Sequence, residues 1–161
     1  KLKNVDRLIR AFVSVYPDIK PARLVLVGDG PEGAHYKEII DASPIKDMIS
    51  IIPRLSREEL LSRIGDSGLC VCPSMSEVNS NFTLECLSLG KPVLITRDSG
   101  LTVRLPDEMI FKFDDQVELE NKMKNLLRGY DTSELTKLIN VESVANSWDA
   151  IMKEYSNIFN L

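Results

Sequence analysis

The chain has 161 residues, with 43% apolar and 27% charged side chains and a formal charge of -4. That length is enough for one domain with a real core, and its composition is that of a globular protein. The absence of a basic excess argues against nucleic-acid binding, and no apolar run is long enough to span a bilayer.

In chain order, Asn4 or Asp6 can start a helix whose residues Val5, Leu8, Ile9, Phe12 and Val13 follow helical spacing and end before Pro17. Residues 23–27 (RLVLV) read as a strand closed by the turn Gly28-Asp29-Gly30-Pro31. Pro31 suits the first position of a helix running towards Ala42. A second strand at 48–52 stops at Pro53, and Ser56 with Glu59 forms a capping box for a helix through Ile64. Residues 68–72 are a third strand. A loop with Glu77 and a helix with Glu85 follow it.

Gly90 ends that helix as a left-handed cap, and 91–96 (KPVLIT) form the fourth strand. Residues 109–113 make a short fifth strand. Asp115 with Glu118, and Asp131 with Glu134, read as capping pairs for two further helices. The last helix, 142–159, carries Val144, Trp148, Ile151, Met152 and Tyr155 on one side. Strands and helices alternate, and the strands are continuous apolar runs, so the fold class is α/β with a doubly wound, Rossmann-like parallel sheet flanked by helices. Ligands of such sheets bind at the carboxyl ends of the strands, near the reversal of strand order. The loops after Val27, Cys72 and Thr96 are therefore expected to converge on one site.

Cys70 and Cys72 share one face of a strand and read, with Cys86, as small core residues. Their spacing fits neither zinc nor redox work, and an odd count argues against a disulfide framework, so a cytoplasmic compartment is expected. His35 lies in a polar helical segment and reads as a solvated residue.

The richest stretch runs from Cys70 to Val93, CVCPSMSEVNSNFTLECLSLGKPV. A strand, a loop and a helix start in that order form an anion site, because the first helical N–H groups lack intrahelical partners. Carboxylates beside it accept hydrogen bonds from sugar hydroxyls, so the combination suits a nucleotide-sugar. The same spacing also fits a plain loop acid at Glu77 and a first-turn acid at Glu85 favoured by the helix dipole. Likewise, Gly28-Asp29-Gly30 alone is a tight turn, and Lys3, Arg54, Arg97 and Arg104 alone are surface charges.

LVLVGDGPE followed by PSMSEVNSNFTLECLSLGKPV resembles the carboxy-terminal domain of the retaining, GT-B-fold glycosyltransferases of group 1. Gly28 to Pro31, Pro73-Ser74, Glu77, Glu85 and Gly90 to Val93 occur in the family's order and at its distances. The resemblance implies that residues 1–161 are a donor-binding domain for a nucleoside-diphosphate-sugar (a UDP-, GDP- or ADP-sugar) acting without metal or other cofactor. Glu77 would contact hydroxyls of the transferred sugar as the catalytic residue, and Glu85 would hold the ribose. Lys3 would neutralise the diphosphate, Asn79, Ser80 and Asn81 would offer backbone N–H groups, and Arg54 with its neighbours would lie along the nucleobase. Gly28 and Gly30 would complete the donor-binding turn.

The partners implied are the donor and a saccharide or lipid-linked acceptor, with no nucleic acid and no transmembrane segment; peripheral contact with a membrane would come from other parts of the protein. Many members carry Phe-Gly where this chain has Asn79-Ser80, a departure that bears on donor identity. The family's first central strand, with an arginine after it, has no counterpart from Lys1 onward. The native polypeptide is therefore expected to continue upstream with that strand and a separate acceptor domain, and the domain by itself to be inactive. A nucleotide-sugar epimerase of related fold and a non-catalytic Rossmann-like binding module are the competing readings. Glycoside hydrolysis would need two acids flanking one bond at about 5 to 10 Å, which a ribose-binding helical Glu85 does not suit.

Overall fold

A computed structural model describes residues 2–77, 80–101 and 104–132. Helix α1 (Val5–Val15) precedes strand β1 (Leu24–Val27), and helix α2 (Gly33–Asp41) leads to β2 (Ile49–Ile52). Helix α3 (Arg57–Asp66), β3 (Cys70–Cys72), α4 (Asn81–Ser88), β4 (Val93–Thr96), β5 (Ile110–Phe111) and α5 (Gln116–Gly129) follow. The helices expected beyond Asp131 and at 142–159 lie outside the described residues.

All the strand pairs are parallel. β1 pairs with β2 from Leu24 opposite Ile49 to Val27 opposite Ile52. β3 pairs with β4, Cys70 opposite Val93, and β4 with β5, Ile95 opposite Ile110. The ladders give two parallel sheets, of order β1-β2 and β3-β4-β5. Parallel strands alternate with helices along the chain, the doubly wound type of α/β architecture.

The core explains which strands read as continuous apolar runs. All four residues of β4 are buried, as are Met109, Phe111, Leu119 and Met123 in the elements that follow it. Helix α1 packs against both α2 and α5, burying Leu8, Ile9, Ala11, Phe12 and Val15 and joining the two ladders in one cluster. On β1, by contrast, Val25 and Val27 remain 36% and 42% exposed.

Local chemistry sets the element ends, and several differ from expectation. Ser56 Oγ accepts from Glu59 N–H, and Glu59 Oε2 accepts from Ser56 N–H at 2.9 Å, completing the expected box. Gly90 (φ 65°) donates to Leu87 O and Lys91 N–H to Cys86 O, the paired C-terminal closure that a left-handed glycine permits. Asp115 caps α5 through Glu118 N–H, but the Glu118 side chain turns to Lys112 N–H instead of completing a box.

Asn4 adopts a left-handed conformation (φ 53°) and its side chain donates to Phe113 O, so α1 has no side-chain cap. Pro31 lies before α2 rather than in it, because the chain first closes a turn through Gly33 N–H to Gly30 O. The strands start later than the apolar runs suggest. Tight turns consume Met48 and Met109, and Pro92 has no N–H to donate, although its carbonyl accepts from Cys70 N–H.

Candidate donor-binding site

The loop leaving β3 is fixed from two sides. Pro73 and Ser74 are buried, and Ser74 O accepts a 2.5 Å hydrogen bond from Thr96 Oγ1 at the end of β4. Glu77 forms a parallel bridge with Ser99, and its carbonyl accepts from Gly100 N–H at 2.8 Å. The loops after β3 and β4 are thereby joined, as the fold requires of a site at the strands' carboxyl ends. From the other direction, Met75 N–H donates to Leu2 O, which brings the segment before α1 alongside the β3 loop.

That contact delivers Lys3 to Glu77. The Lys3 ammonium donates to Glu77 Oε1 in an ion pair between residues 74 positions apart. The Lys3 contact holds the Glu77 carboxyl below the usual carboxylate range; partial burial opposes this, and a Ser74 hydrogen bond reinforces it. Lys3 remains 68% exposed, so its charge also faces solvent and whatever solvent carries.

Ser80 caps α4: its Oγ accepts from Thr83 N–H at 3.3 Å, and the residue is 8% exposed. The N–H groups of Asn81 and Phe82, in the first turn, have no carbonyl partner within the helix. Ser80 takes φ -60° and ψ 111°, a conformation open to any residue, so the Asn79-Ser80 departure does not strain the backbone at Ser80. Asn79 itself lies outside the described residues.

Glu85 is the fifth residue of α4, beyond the first turn, so favour from the helix dipole does not account for it. Arg57, the first residue of α3, places Nε 3.4 Å from Glu85 Oε1. Sequence reasoning missed this residue; its signal was a cation in a helix's first turn, where the dipole disfavours positive charge.

In the β1-β2 sheet, Gly28 N–H donates to Ile52 O and Arg54 N–H to Asp29 Oδ2 at 3.3 Å, which ties the loops after β1 and β2 together. Gly28 has φ 126° and so requires glycine, whereas Gly30 shows neither a positive φ nor a close neighbour. The Arg54 side chain is exposed, as are Arg97, Arg104 and His35. Cys70 and Cys86 are buried in the core, and Cys72 Sγ lies 3.8 Å from Ser80 Oγ, beneath the start of α4.

Residues 1–140 match the family described as "Glycosyl transferases group 1". The chain belongs to the group 1 glycosyl transferases. It is 26% identical over 161 residues to the sulfoquinovosyl transferase of Arabidopsis thaliana, covering 96% of this chain and 31% of that protein. This glycosyl transferase chain thus spans well under half the length of that curated relative. Its fold is similar to sucrose-phosphate synthase from Thermosynechococcus elongatus, with a TM-score of 0.77, 21% identity and coverage of 99% of this chain and 43% of that one. It is also similar to the C-terminal domain of a group 1 glycosyl transferase from Francisella tularensis, with a TM-score of 0.70, 18% identity and coverage of 96% and 80%. These likenesses establish a GT-B-type fold. Among the described residues no helix is long and apolar enough to cross a membrane.

Proposed function

We propose that this glycosyl transferase chain is the donor-binding half of a two-domain enzyme that transfers a sugar from a nucleoside diphosphate to a saccharide or lipid-linked acceptor. The observation that carries the reading is the Lys3–Glu77 ion pair in the connection between β3 and α4. An ammonium and a helix end suit a diphosphate, and a carboxylate beside them suits sugar hydroxyls.

In the proposed mechanism Glu77 contacts the transferred sugar and Glu85 holds the ribose. Lys3 and the first turn of α4, at Ser80 and Asn81, receive the diphosphate. Negative charge grows on the leaving diphosphate as the glycosidic bond breaks, and a fixed cation with aligned N–H dipoles stabilises it there without a metal ion. Departure and attack on one face, with retention at the anomeric carbon, are what the family resemblance implies for this reading. Binding of donor would draw Lys3 from Glu77 to phosphate and leave the carboxylate free for hydroxyls. The Ser99 hydroxyl, buried and unpartnered among the described residues, lies on the segment bridged to Glu77, where a polar group of a ligand or water would satisfy it.

The two ladders share no strand pairing among the described residues, which supports a further strand that would join them. That strand and an acceptor domain would come from upstream in the polypeptide, and transfer would occur in the cleft between the domains. A cytoplasmic setting, with a role in building a surface polysaccharide or glycoconjugate, fits the cysteine usage and the family.

The test is substitution in the full-length protein. Glu85→Ala should weaken donor binding, while Glu77→Gln should remove most transfer with a smaller loss of nucleotide affinity. If both variants bind nucleotide and transfer sugar like the parent, the site assignment fails.

A further inference from the structure

We propose that Arg57 is a positioning residue of the donor site: from the first turn of α3 it holds the Glu85 carboxylate in place for the ribose hydroxyls. The inference rests on the reading of Glu85 given above and adds a residue that neither the sequence motifs nor the resemblance assigns.

Three features lead to Arg57. Its place in α3 is locally unfavourable, since a cation in the first turn opposes the dipole, while the next two residues, Glu58 and Glu59, are the acids that position favours. A local rule broken without local compensation points to a role elsewhere. Its partner supplies that role: Nε stands 3.4 Å from Glu85 Oε1, and α3 packs against α4.

The burial of the two partners is unequal. The Glu85 side chain is 21% exposed and that of Arg57 is 80% exposed, so an arginine at the surface reaches over a carboxylate set into the site. Exposed pairs of this kind add little to fold stability. The pair can nevertheless select one rotamer of a carboxylate, and contact through Oε1 leaves Oε2 able to accept from a vicinal diol. Arg57 also follows directly on the loop at Arg54, the segment assigned to the nucleobase, so base and ribose contacts would be set from one stretch of chain.

The experiment measures, in the full-length protein, the affinities of UDP, GDP and ADP, and then of the tightest binder's 2′,3′-dideoxy analogue. The proteins compared are the parent, Arg57→Ala, Arg57→Lys, Glu85→Ala and the double variant Arg57→Ala/Glu85→Ala. Arg57→Ala should weaken the nucleotide by about threefold, the scale of one exposed ion pair, and leave the dideoxy analogue unchanged. Arg57→Lys, which keeps the charge without the planar fork, should recover part of the loss. In the Glu85→Ala background, Arg57→Ala should have no further effect.

Parental affinity in Arg57→Ala beside a clear loss in Glu85→Ala would overturn this inference alone. An equal loss for nucleotide and dideoxy analogue would also overturn it, since Arg57 would then act on phosphate or base. Unchanged affinity in Glu85→Ala would overturn the ribose assignment and this inference with it. Melting temperature, expected to match the parent's in Arg57→Ala, separates positioning from misfolding.

Discussion

Glu77 titrates below the ordinary value of 4.5 because Lys3 donates to it. A carboxyl whose folded pKa is depressed adds stability above its unfolded pKa and loses that contribution as the pH falls through the folded value. Lys3→Met should therefore move the Glu77 titration up towards the ordinary range and flatten the acid side of the stability profile. Carboxyl-carbon NMR titration reads the shift directly; an unmoved Glu77 would contradict the pairing. Lys3, Glu77 and Glu85 were singled out in the sequence through the family resemblance, and only the fold showed that Lys3 reaches Glu77. Of Arg57 only its unfavourable place in a helix's first turn was legible, because its partner sits 28 positions away on a helix whose packing no local pattern encodes. The glycines divide for a similar reason: motif and resemblance assigned Gly28 and Gly30 alike, but only Gly28 has a backbone that demands glycine.

Capping chemistry accounts for what could be read of the elements. The Ser56–Glu59 box and the Gly90 closure involve residues a few positions apart, so the sequence contains both partners of each bond. Ser56→Ala should cost about 1 kcal/mol, which lowers the melting temperature of a chain this size by roughly 2 to 4 °C. Gly90→Ala should cost at least about 1 kcal/mol, since a left-handed φ of 65° brings Cβ against the carbonyl; chemical denaturation measures both changes. Strand ends were less legible. A strand begins where a neighbour's ladder begins, and the turns at Lys46–Met48 and Asp107–Met109 claim residues whose apolar character matched the strands they precede. The short α1 entry through Asn4 depended on a distant acceptor, Phe113 O, which the sequence does not reveal.

For the whole molecule, the five described strands and their helices form one core organised around β4. Leu94, fully buried at its centre, should cost about 2 to 5 kcal/mol on change to Ala, seen as a lower urea midpoint. The alternation of strands and helices was enough for the architecture, while pairing partners, register and the joining of the loops after β3 and β4 came only with the fold. The central claim is that the carboxyl ends of these strands hold a nucleotide-sugar through Lys3, the start of α4 and Glu85. The most direct measurement is a thermal-shift titration with UDP, GDP, ADP and their sugar conjugates, for the parent and for Glu85→Ala. A nucleotide at about 100 times its dissociation constant should stabilise the parent by roughly 2.7 kcal/mol, and Glu85→Ala should lose that shift. An equal shift in both proteins, or none with any nucleotide in the two-domain protein, would contradict the assignment.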